Sequence, residues 1–306
     1  VLSTAAGIVL LALVALDVFL TVLHLQARGG PLTRRLGRAV WTLFTAVAPE
    51  QPGTARGVIL GLAGPLIVAT GLGIWTLGLV IAFALLYLPH MPQFLVQPGS
   101  LRTHWVEAFY YSASIVSTAG TGDMVPGTRA LRMVSAFEGL TGFAMVTIGI
   151  SYLFGVYGEL AVVYRLGSVI STYFAGGVDA TLRRIEAVGV EPFARWSEGV
   201  ASCLLGVLQA DSQYPVLQYF RSGDASRALT AQIGTLLELR RAVEHGGRLP
   251  GLASHPSYVA LMESVREYIH EVEKHFVPRR FDAAPAASGE DPLERAYARI
   301  CRYKRY

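Results

Sequence analysis

Charge is what this chain has little of. Of its 306 residues only 16% are charged, while 52% are hydrophobic and the mean hydropathy is +0.43. A soluble domain usually carries about a quarter charged residues, so the deficit argues against an ordinary soluble chain and points to a bilayer. Cysteine is scarce too. Cys203 and Cys301 form no CxxC pair and no disulfide framework, the pattern of reduced thiols in a cytoplasmic domain. No basic-aromatic patch accompanies the net charge of +4, so nucleic acid is not an expected partner. His245, His255, His270 and His275 share no metal-ligand spacing. No GxGxxG follows a strand pattern, and "GLGIWTLG" at 71–78 sits inside an apolar run.

What is present is unevenly spread. Long apolar runs fill residues 1–175, whereas 179–306 read as a mostly helical soluble domain. Three segments reach the roughly 20 residues a spanning helix needs: about 5–27, 57–88 and 128–164. The first has no basic n-region, carries Asp17 in its middle and lacks an obvious cleavage site, so a retained transmembrane helix is expected. Gly64-Pro65 predicts a kink in the second. Between the last two runs, "HWVEAFYYSASIVS" at 104–117 is aromatic and apolar but too short to span, which predicts a re-entrant helix.

Arginine placement sets the expected orientation. Arg28, Arg34, Arg35, Arg38 and Arg56 crowd the 28–56 loop, and Arg165, Arg183 and Arg184 follow the third run, while 89–103 holds only Arg102. The loop and everything after about 165 are therefore expected in the cytoplasm, with the N-terminus and the re-entrant segment outside the plasma (inner) membrane. Arginines mixed with Trp41, Leu43 and Phe44 suit a helix lying on the inner surface.

"STAGTGDMVP", Ser117 to Pro126, follows the short helix directly. Backbone of this kind inside a membrane cannot face lipid, because unpaired carbonyls there cost several kcal/mol each. Glycines permit left-handed or alternating backbone angles, which can turn successive carbonyls to one side. A ring of such carbonyls can replace the water shell of a cation. The negative end of the preceding helix would favour a cation there.

The stretch resembles the selectivity filter and following turn of the tetrameric potassium-channel superfamily, T-V-G-Y-G-D, at Thr118, Gly120, Gly122 and Asp123, with Pro126 at the common downstream proline. The resemblance covers about 104–165, with the outer helix 57–88 matching by topology. It gives nothing for 179–306 and implies a pore-loop domain; with the extra N-terminal helix and the helical cytoplasmic domain read above, an all-α membrane protein is expected. It implies a homotetramer in the lipid bilayer, because the chain has one pore motif. Thr118, Ala119, Gly120, Thr121 and Gly122 would form the filter, with potassium ions at Thr118 to Thr121 and no other cofactor. Asp123 and Glu107 would support the filter. Gly142 would be the inner-helix hinge, and Phe143, Thr147, Ile150 and Ser151 would line the pore. Two positions depart from the pattern: Ala119 replaces the valine and Thr121 the tyrosine, whose ring normally packs behind the filter. A monovalent-cation channel, most selective for potassium, is expected, and a weakly selective sodium/potassium channel is the alternative.

Two readings come from other classes. "GTGD" also fits the G-x-G-D motif of intramembrane aspartyl proteases, which need a second aspartate to divide acid and base roles, and Asp17 is the candidate. The third is a receptor anchored by its membrane part. An enzyme is not expected.

Glu138 falls deep in the third run, where an ionisable residue is expensive unless paired. Five residues from Phe143, it points away from the expected pore face, so a structural contact or gating latch behind the filter is expected. Asp17, Thr21 and His24 share one helical stripe and predict an interhelical clamp, with a proton-sensing role as the alternative. The chain divides, on this reading, into 1–56, a pore domain at 57–165, a connector at 166–178, and a helical domain at 179–306 ending in a short basic tail. Helical periodicity marks 179–211, 224–246 and 256–277, with "QYPVLQYF" at 213–220 as an aromatic turn.

Overall fold

In the computed structural model the described residues are 2–24, 29–49, 54–96, 104–120, 122–221, 224–277 and 291–304, and most of them are helical. The elements run α1 (Leu2–Val18, continued by a π-helical turn at Phe19–Leu23), α2 (Pro31–Val47), α3 (Thr54–Gly61), α4 (Ala63–Tyr87), β1 (Phe94–Val96), α5 (His104–Val116), β2 (Met124–Pro126) and α6 (Arg129–Tyr173). Then follow α7 (Gly177–Val188), α8 (Glu191–Gln213), α9 (Leu229–Arg240), α10 (Pro250–Ala253), α11 (Pro256–Phe276) and α12 (Pro292–Lys304). Three helical stretches are long and apolar enough to cross a membrane: Leu2–Leu23, Arg56–Gln93 and Arg129–Tyr173. This is an all-α membrane architecture with, among the described residues, one short antiparallel pairing of β1 with β2.

The described residues fall into two compact units, one within Val1–Leu43 and Pro65–Val156, the other within Phe44–Gly64 and Tyr157–Tyr306. In the first, Trp75, Leu79, Phe83 and Tyr87 of α4 form the spine of a buried cluster with Val14 of α1 and Tyr111 of α5. Helices α1 and α4 touch closely because glycines face them: a Cβ on Gly7 would lie 2.7 Å from Ala82 O, and one on Gly78 2.7 Å from a Val14 methyl. Small residues at such crossings let packing, the main force between helices in lipid, operate. The expected boundary between 1–56 and a separate pore domain thus does not follow the packing, since α1 shares a core with α4 and α5.

Three other expectations take a definite form in the structure. The kink at Gly64-Pro65 is a break at Leu62 between α3 and α4. Pro65 has no N–H for the Gly61 carbonyl four residues back, and its ring crowds that carbonyl. The connector at 166–178 is largely helix, for α6 continues to Tyr173. Its last turns carry Leu166 and Ile170 into the core of the second unit, beside Leu204, Ile233, Leu261 and Ile269. Finally, 293–304 of the expected tail belongs to α12, with Ala296 and Ile300 in that core and Lys304 buried.

Candidate functional site

Helix α5 has 13 residues, hence a length of about 20 Å, well short of the roughly 30 Å hydrocarbon core. It ends because Thr118 turns left-handed, with φ +59°. The N–H groups of Ala119 and Gly120 then both donate to Ser114 O, at 3.0 and 3.1 Å, which caps an otherwise open carbonyl. Gly120 is again left-handed (φ +73°), while Ala119 between them is not. Ser117 to Gly120 and Gly122 are exposed in the single chain, and Thr121 lies outside the described residues.

The exit from the stretch is tethered. Strand β2 pairs antiparallel with β1, Leu95 opposite Val125, and Gly127 N donates to Gln93 O at 3.0 Å. Arg132 Nε donates to Pro126 O at 3.0 Å. These strands have three residues each, too few for a periodic signal in the sequence.

Behind α5 lies a buried polar knot. Glu138 of α6 is 0% exposed. Its carboxyl group accepts from Tyr87 Oη of α4 at 2.7 Å and from Ser112 Oγ of α5 at 2.5 Å. Ser112 Oγ also lies 2.9 Å from Val80 O. A second link joins Tyr111 Oη and Ser135 Oγ at 2.7 Å. The rings of Tyr87, Phe94 and Tyr111 meet edge to face, with centroids 4.9–5.6 Å apart. Such contacts add roughly 0.5–1.5 kcal/mol per pair beyond area burial. One set of side chains therefore ties α5 to both long helices and to β1. Tyr87, Ser112 and the aromatic trio have no local sequence signature, because each partner lies far away along the chain.

Gly142 sits in unbroken helix. A Cβ there would lie 2.4 Å from Val116 O, at the end of α5. Phe143, Thr147, Ile150 and Ser151 are all exposed in the single chain and share one face of α6. Glu107, in the first turn of α5, is half-buried, and its buried Oε1 has no hydrogen-bond partner among the described residues. Asp123 is half-buried in the turn before β2.

Asp17 belongs to a different cluster. It caps α2 from α1: Oδ1 accepts from Leu32 N at 2.7 Å, and Oδ2 accepts from Thr33 N, Thr33 Oγ1 and Trp75 Nε1 at 3.3, 2.6 and 2.9 Å. Pro31 at the first helical position has no N–H to satisfy. Thr21 Oγ1 accepts from Gly30 N at 2.8 Å, and a Cβ on Gly30 would strike Asp17. His24 is exposed and packs edge-on to Phe19, outside this clamp. Both Asp17 oxygens are thus engaged by structural donors. No group of three or more metal-binding side chains occurs among the described residues.

Residues 67–159 match the family model described as "Ion channel". The match spans most of α4, all of α5 and the Gly-rich stretch, and more than half of α6. It supports an ion-channel domain and does not favour the protease reading. An uncharacterized membrane protein of Bacillus subtilis (strain 168), YdjJ, is 23% identical over 286 residues, covering 92% of this chain and 81% of its own length. No solved structure matches. The chain is thus read as a membrane protein with three candidate spanning helices among the described residues, the second and third of which overlap an ion-channel domain.

Proposed function

We propose that the chain forms a homotetrameric channel for monovalent cations, most selective for potassium. The observation that carries this is the short helix α5 ending in left-handed backbone at Thr118 and again at Gly120, within the ion-channel domain. Carbonyls of Thr118, Ala119, Gly120 and Thr121, with the Thr118 hydroxyl innermost, take the place of a potassium ion's hydration shell, and Gly122 closes the filter. Four copies surround the axis, with Phe143, Thr147, Ile150 and Ser151 facing it. Exposure of these side chains in the single chain, including apolar Phe143 at 65%, supports that assignment. Asp123 and Glu107 brace the filter from behind.

Gating falls to α6, which continues unbroken into the second unit and so links the pore to the helical domain. Gly142 acts as the hinge, and Glu138 holds α6 to α5 and α4 when the pore is at rest. The second unit faces the cytoplasm of a cell whose inner membrane holds the first, with the N-terminus outside. A weakly selective sodium/potassium pore is the second reading, favoured by the missing ring at Thr121. The test is ion flux into liposomes reconstituted with the full chain: potassium uptake, abolished by Gly120→Asp, is expected. Liposomes with folded protein that are tight to both potassium and sodium would overturn the proposal.

A further inference from the structure

The last turns of α6 and the first half of α8 enclose a groove of about 310 Å³. Its walls include Arg165, Leu166, Val169, Arg195, Trp196 and Cys203, and no acidic side chain lines it. Leu166 and Val200 form an apolar floor, 3% and 2% exposed. Neither Arg165 nor Arg195 has an ion pair or hydrogen bond among the described residues. Trp196 is locked by stacking on Tyr173, centroids 4.1 Å apart, by an edge contact with Phe174 and by a tilted contact with Phe193. Its Nε1 is nonetheless buried without a hydrogen-bond partner. A buried donor left unsatisfied is costly, so the groove is incomplete as it stands: it offers two free guanidinium groups, an unused N–H and an apolar floor.

That combination fits an amphiphile with an anionic head. Arginine presents a planar fork matched to phosphate oxygens, and the indole N–H can donate to a phosphate or ester oxygen. Position narrows the choice further. Arg165 is the first basic residue of α6 after Arg132. These two lie about 50 Å apart along a straight helix at 1.5 Å per residue. A bilayer with its headgroups is about 40–45 Å thick, so a tilted α6 brings Arg165 to headgroup level.

We propose that this groove binds an acidic phospholipid from the adjoining leaflet, with its phosphate between Arg165 and Arg195 and its chain against Leu166 and Val169. The site requires only that the chain resides in a bilayer, so it stands apart from conduction and selectivity. Cys203 is exposed on the groove wall and reports on occupancy. The full chain is reconstituted in vesicles of phosphatidylcholine, with or without phosphatidylglycerol. Maleimide labelling of Cys203 is followed by peptide mass spectrometry, with half-buried Cys301 as the internal reference. Labelling is expected to slow several-fold with phosphatidylglycerol, to be unaffected by inorganic phosphate over phosphatidylcholine vesicles, and to lose its lipid dependence in Arg165→Gln/Arg195→Gln. Equal labelling in both vesicles overturns the proposal, as does protection that survives the double substitution. Protection by inorganic phosphate alone would mark a soluble-anion site instead. Protection in phosphatidylcholine that grows with protein density would mark a second copy. If the double variant fails to fold, the wild-type comparison of the two vesicles still decides.

Discussion

Gly142 shows what a single atom can do in this chain. A methyl group there would press into the Val116 carbonyl, and backbone at a helix end cannot rotate away as a side chain can. Gly139, one turn earlier, faces only an Ile115 methyl at 3.8 Å. Gly142→Ala is therefore expected to destabilise the folded protein by about 1–3 kcal/mol, the usual range for overpacking. Gly139→Ala should leave stability nearly unchanged. Thermal unfolding of both variants in detergent checks the contrast, and equal melting temperatures would contradict it. The sequence marks Gly142 only through a family resemblance. Its tight contact with Val116 becomes visible only once α5 is placed against α6. Glu138 and Asp17 are legible in another way, because an acid in an apolar run must find donors. Which donors cannot be read: Tyr87 lies 51 residues from Glu138, and Trp75 lies 58 from Asp17.

At the scale of elements, the long helices and the short α5 are legible because hydrophobic length is a local property. The β1–β2 pairing and the packing of α12 are not. Helix α12 is polar on most faces, and only Ala296 and Ile300 at i, i+4 betray a buried stripe. Its end is held by a buried chain: Lys304 Nζ donates to Gln218 Oε1 at 2.6 Å, and Gln218 Nε2 donates to Asp211 Oδ2. Burial pushes the Asp211 carboxyl up to about 7, against the pull of Lys304 and the Gln218 hydrogen bond. Burial also pushes the Lys304 ammonium down to about 8, against the pull of Asp211. The folded Asp211 keeps its proton above the ordinary carboxylate range, so from about pH 4 to pH 7 the folded state binds more protons than the unfolded one. Its contribution to stability is present in full below that window and is lost as pH rises through it. Lys304 has the opposite sign: its contribution falls away as pH drops from the ordinary lysine range toward 8. Compared with Asp211→Asn, the wild type should therefore gain stability from pH 7 to pH 5, by at most about 1.4 kcal/mol per pH unit. Denaturant unfolding of both proteins across that range measures it, and a pH-independent difference would contradict the account.

Over the whole molecule, the division of labour is physical before it is functional. The first unit places a helix too short to span among helices long enough to span, and ties its end to α4, α6 and β1 with the Glu138 knot and three aromatic rings. In the sequence, the site shows through the order of segments rather than through glycines alone: short helix, Gly-rich turn, long helix. The second unit packs the last turns of α6 into its core, and α6 runs as one helix from Arg129 to Tyr173. Thr121 is where the proposed pore departs most from its relatives by resemblance. The rings of Tyr87, Phe94 and Tyr111 pack on one another where α4, β1 and α5 meet.

The central claim is a potassium-preferring filter made of backbone carbonyls, and the most direct measurement is the reversal potential under bi-ionic conditions. The purified full chain is placed in a planar bilayer with potassium on one side and sodium on the other. The account predicts single-channel currents with a reversal potential displaced far toward the potassium equilibrium potential. A reversal potential near zero would contradict potassium preference and leave a non-selective pore, and the absence of current from folded, tetrameric protein would contradict the channel itself.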